Sequence, residues 1–108
     1  VIRLLDASVR GREEELGRQF REGEPFRHVV IDPFLDAGLC GRLMAEFPAF
    51  DARYARNERG EPGGKAAVPK IAKLRAAYAQ FDRLMRDREF LAFVGRITGI
   101  PGLLYDPE

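Results

Sequence analysis

The sequence predicts an α+β segment, mostly helical with one or two strands, and three observations carry that expectation. PFRHVVIDP, from Pro25 to Pro33, sets the consecutive β-branched residues Val29, Val30 and Ile31 between prolines, the composition of a buried strand. Apolar residues elsewhere recur at helical spacing, in stretches opened by Ser or Asp and closed by Gly or Pro. With 108 residues the chain has room for one domain and only a modest core.

Taken in order, Val1 to Leu5 is a short apolar stretch that reads equally as a strand or a lead-in. Ser8 precedes a helix with Val9, Glu13, Leu16 and Phe20 on one face, ending near Gly23, and Glu13, Glu14 and Glu15 lie toward its start, where the helix dipole favours acids. In the strand that follows, Phe26, His28, Val30 and Asp32 share one face and Arg27, Val29 and Ile31 the other. Asp36 is placed to cap the next helix, in which Leu39, Cys40, Leu43, Met44 and Phe47 form a buried stripe ended by Pro48. Residues 50–68 form a flexible loop whose Asn57 to Lys65 portion is rich in charge, Gly and Pro. Ile71, Leu74, Tyr78, Phe81 and Met85 mark a further helix. Asp87 caps the last one, with Phe90, Leu91, Val94 and Ile97 inside and Gly99 and Pro101 closing it. Leu103 to Tyr105 begins to look like a strand. Val1 in place of Met, and an end directly after an apolar run, suggest a segment of a longer protein.

Composition removes several function classes. A net charge of +1 supplies no field to steer the chain to nucleic acid, and no apolar run approaches the ~20 residues of a membrane helix. One cysteine makes no internal disulfide, so the expected compartment is the cytoplasm. A Cys/His zinc site needs three or four ligands, and only His28 and Cys40 are present. The two-His, one-carboxylate iron triad asks for two histidines against the single one here, and Ser8 is the sole serine available to a triad.

Individual candidates read blandly. Gly60 to Lys65 lacks the glycine spacing of a phosphate loop, and Ala66 stands where that loop needs Ser or Thr. His28 reads as a structural histidine hydrogen-bonded near a sheet, and Cys40 as a packing residue of the apolar stripe. The basic run through Lys70, Lys73, Arg75, Arg83, Arg86 and Arg88 is interrupted by acids and has no alternating aromatics, so it reads as a solvated face. Asp32 and Asp36 are accounted for by turn and cap chemistry.

Two stretches nevertheless share a pattern. PFRHVVIDPFLDAGLCGRLMAEFPAFD, from Pro25 to Asp51, and FLAFVGRITGIPGLLYDPE, from Phe90 to Glu108, resemble in order the entry region of prolyl-4-hydroxylase-like Fe(II)/2-oxoglutarate-dependent oxygenases. Between them Tyr54, Asn57 and Lys65 are loosely similar to a further element of that family, at a longer spacing.

The resemblance implies a supporting N-terminal segment packed on a double-stranded β-helix core beyond Glu108. That core would carry an H-x-D pair and a distal His for iron, and an Arg or Lys for 2-oxoglutarate. No catalytic or metal residue carries over onto this chain, and His28 matches a strand histidine that is not a ligand. Tyr105 is the expected neighbour of the cosubstrate pocket, and Asn57 and Lys65 the expected border of the substrate entrance. The chain alone is expected to be inactive, with the catalytic core of the same protein as its partner. The rival expectation is a small helical protein-interaction module without catalysis.

Overall fold

A computed structural model describes residues 2–57, 59–68 and 70–106. Among them are five α-helices: α1 (Ala7–Arg10), α2 (Glu13–Arg21), α3 (Ala37–Ala45), α4 (Ala76–Arg86) and α5 (Arg88–Thr98). Single 3-10 turns occupy Ile2–Leu4, Ala52–Tyr54 and Ile71–Lys73.

No strand forms among the described residues, so the α+β expectation is corrected to an all-helical one. The 25–33 segment bends at residues 25–27 and 32–33, and no backbone ladder forms along it. Its alternation is nonetheless the expected one: Val29 and Ile31 pack against the core while Val30 is 77% exposed. A β-branched run becomes a strand only with a second strand beside it, and none lies there. The nearest substitute is one antiparallel bridge, Leu5 to Leu35, flanked by Asp6 N donating to Phe34 O at 2.8 Å and Asp36 N to Leu4 O at 2.7 Å. Leu103 to Tyr105 likewise pairs with no strand, and Ile2–Leu4 is a turn of 3-10 helix.

Two expected helices are interrupted. The first breaks at Gly11, which closes α1 as Asp6 opens it, the Asp6 carboxylate accepting from Ser8 N. The other breaks after the 3-10 turn at Leu74, whose ψ of -164° takes the chain out of helical geometry before α4 begins. The caps read from sequence are in place: Asp36 Oδ2 accepts from Leu39 N at 3.1 Å and Asp87 Oδ2 from Phe90 N at 2.9 Å. Gly99 ends α5 in the left-handed region, φ 73°, where a side chain is strained.

The core gathers Leu5, Val9, Leu16, Leu84, Phe90, Phe93 and Ile97. The helices α2 and α5 pack together with Gly17 facing the Ile97 backbone, 3.7 Å from where a Cβ would stand. Phe34 and Phe90 add a tilted ring pair at 6.2 Å. The end of α3 steadies the start of α4: Glu46 Oε1 accepts from Ala77 N at 3.0 Å, and the Tyr78 hydroxyl donates to Leu43 O at 2.9 Å. These bonds stand in for a side-chain cap, which Arg75 does not provide.

The stripe expected on α3 is not buried. Leu39 is fully buried and Leu43 half-buried, but Cys40 is exposed, Met44 is 76% exposed and Phe47, beyond the helix, is 75% exposed. The contact of α3 with α4 leaves Cys40, Met44 and Phe47 on exposed surface. The overall dimensions agree: the radius of gyration is 16.4 Å, where a compact chain of this length has about 13 Å. Among the described residues no helix is long and apolar enough to cross a membrane.

Candidate functional site

The described residues present one buried ionisable side chain, and it organises the far end of the molecule. Asp82, in the middle of α4, is 5% exposed. Its Oδ1 accepts from the Tyr105 hydroxyl at 2.5 Å, and its Oδ2 pairs with Arg86 at 2.7 Å. The Arg86 guanidinium also lies over the Tyr105 ring, 5.0 Å from its centroid. Both carboxylate oxygens are thus satisfied, as burial of a charge requires. Tyr105 is held in its protonated form above the ordinary phenol value, first by the hydrogen bond to Asp82, then by burial and by the negative charge of Asp82, with Arg86 opposing.

This latch closes one end of a groove of about 750 Å³ between α5 and the chain that follows it. Leu91, Ile100 and Leu103 supply apolar wall, and the charged residues lining it are Arg86, Arg88 and Arg96. Arg96 pairs with Glu13 of α2 at 2.8 Å, across an exposed surface. A second pocket of about 650 Å³ lies between the end of α3 and the start of α4, with Phe47, Phe50, Tyr54, Ile71 and Tyr78 among its walls.

The expected site residues are not brought together. Tyr105 belongs to the groove beside α5, and its hydroxyl is committed to Asp82. Asn57 shapes its own loop: its Oδ1 accepts from Arg59 N and Glu61 N, both at 2.9 Å. Lys65 is exposed and lines neither cavity, although the adjacent Ala66 reaches the second pocket. The loop closes through Gly63 N to Ala55 O and Ala67 N to Tyr54 O, at 2.7 and 2.9 Å. Asp82, read in sequence only as an acid interrupting a basic run, is the residue that reasoning missed. The signal was the Asp82–Arg86 spacing of one helical turn, with Asp82 the single acid of its helix.

His28 is exposed, with Nδ1 2.8 Å from Phe26 O and Gly23 pressed against its backbone. It is hydrogen-bonded as expected, but beside a turn and not a sheet. Among the described residues no three His, Cys, Asp or Glu side chains are grouped to hold a metal. This donor set does not fit an iron centre. No protein-family model, no curated protein and no solved structure matches the chain.

Proposed function

We propose that the chain is the N-terminal supporting segment of an Fe(II)/2-oxoglutarate-dependent dioxygenase of the prolyl-4-hydroxylase-like kind. The observation that carries this reading is where the apolar surface lies open. Of the exposed large apolar residues among those described, Phe26, Val30, Met44, Phe47, Phe50, Ile100 and Leu104 fall within the two stretches, 25–51 and 90–108, that resemble the family, and only Tyr54 falls outside them. Open apolar surface of this kind marks a contact with another folded body. Covering it is the work of the catalytic core, which brings iron and 2-oxoglutarate for hydroxylation of a substrate C–H bond.

In this reading the residues of the chain support and border and do not react. The open faces seat the core, Tyr105 stands where the chain leads toward the cosubstrate pocket, and Asn57 and Lys65 edge the substrate entrance. The single cysteine is free and exposed, which suits a reducing cytoplasm.

The test is the coding DNA past the codon for Glu108. An H-x-D pair, then a distal His, then an Arg or Lys supports the reading. A stop codon, or a continuation lacking those ligands, overturns it and leaves the helical interaction module as the better account.

A further inference from the structure

The groove beside α5 has a charge pattern that the supporting role does not use. Every charged side chain lining it is an arginine, and no Asp or Glu among the described residues reaches it. Arg86 is engaged by Asp82 and closes one end. The Arg88 guanidinium makes no hydrogen bond or ion pair with any described residue. Arg96 is held only by an exposed pair to Glu13, a kind of bond that solvent weakens and that exchanges easily. Between Arg88 and Arg96 the wall is apolar, centred on Leu91.

Spacing selects the shape of the occupant. Arg88 and Arg96 stand eight residues apart on α5, about 12 Å along its axis at ~1.5 Å per residue. A single carboxylate cannot serve both. An extended peptide advances ~3.3 Å per residue and turns alternate side chains to one face. Carboxylates four residues apart therefore lie about 13 Å apart on the same face, with one side chain between them directed at the same wall. We propose that the groove binds an extended acidic peptide of the pattern acidic–x–apolar–x–acidic, its carboxylates on Arg88 and Arg96 and its apolar side chain on Leu91. The planar guanidinium fork is suited to a carboxylate, and the apolar floor rejects a peptide that is merely acidic.

The proposal does not rest on the supporting-segment reading, although both make use of Ile100 and Leu104, and it is tested on the 108-residue chain. A fluorescein-labelled Asp-Ser-Leu-Ser-Asp peptide is titrated by anisotropy against the same peptide with Asn for both Asp residues. Saturable binding of the acidic peptide is expected, roughly tenfold tighter than the amide form and weakening with salt. Arg88→Gln and Arg96→Gln are each expected to weaken it roughly fivefold, with helical circular dichroism unchanged. Glu13→Gln, which releases Arg96, is expected to strengthen it. Equal binding of acidic and amide peptides, an unchanged affinity in Arg88→Gln, or no saturable binding at all overturns the proposal.

Discussion

The Tyr105 hydroxyl donates to Asp82 Oδ1 at 2.5 Å, so the chain beyond α5 is tied back to the middle of α4 across 23 residues of sequence. Arg86 completes the arrangement from both sides, pairing with the other carboxylate oxygen and covering the phenol ring. A buried carboxylate, a phenol and a guanidinium each satisfy a need of the others. Because the carboxylate is the buried member, removing one partner costs more than the bond it made.

Tyr105→Phe is therefore expected to destabilise the chain by about 1–2 kcal/mol at neutral pH, measured by urea unfolding. The pH dependence has a definite sign. Tyr105 is raised above its ordinary value, so its contribution is fully present below pH ~10, the unfolded phenol value, and is lost as pH rises through the folded one. The difference between wild type and Tyr105→Phe should shrink above pH ~10. A constant difference across that range rejects the assignment.

The two aspartate caps are chemically alike and their removal should read out differently. Asp87 starts α5, which contributes Phe90, Phe93 and Ile97 to the core. Asp87→Ala is expected to cost about 1 kcal/mol and lower Tm by roughly 4 °C. Asp36 starts α3, whose only buried residue is Leu39. Asp36→Ala should accelerate amide hydrogen exchange in α3 while leaving the global transition nearly unmoved. Equal global losses in both variants contradict this division.

Burial draws an equally sharp line between leucine and phenylalanine positions. Leu16 and Leu84 are completely buried, and truncation of either to Ala is expected to cost about 2–5 kcal/mol, enough to unfold a core this small. Phe47 is the larger residue, yet Phe47→Ser is expected to stay within about 0.5 kcal/mol, because it packs on little, and to reduce light scattering from self-association. A loss of several kcal/mol at Phe47 places it in a core after all.

What was legible in the sequence was local. Asp36 and Asp87 cap the helices they were read to cap because a cap is a contact within three residues. That Val29 and Ile31 share a face opposite Val30 followed from alternation, and the structure turns that face to the core. The sheet failed because a strand is a pair, and the sequence of Pro25 to Pro33 says nothing of its partner. Cys40, Met44 and Phe47 were misjudged for the same reason: periodicity shows which face of α3 is apolar, not whether anything covers it. The Tyr105–Asp82 bond joins residues far apart in sequence, and neither residue type announces it.

Cys40 supplies a direct check on that uncovered face. Its thiol is exposed, so it should react stoichiometrically with Ellman's reagent in native buffer, at a rate little changed by urea. Reaction only on unfolding would return Cys40 to the buried stripe.

The tip of the loop between Tyr54 and Ala67 is shaped by a side chain. One oxygen, Asn57 Oδ1, accepts two backbone N–H groups, from Arg59 and Glu61, while Asn57 N donates to Glu61 O at 2.9 Å. The Arg56 guanidinium adds a bond to Gly60 O at 2.6 Å. Asn57→Ala removes the acceptor for both N–H groups at once, and Asn57→Asp keeps it. Exposed loop residues are cut only when the backbone can adapt to a protease. Trypsin cleavage after Arg59 is therefore expected to accelerate several-fold in Asn57→Ala and to stay near the wild-type rate in Asn57→Asp, with thermal unfolding of the helices unchanged in both. Equal acceleration in the two variants means that the turn depends on the neutral amide itself, and no acceleration in either means that the Oδ1 bonds do not hold the loop.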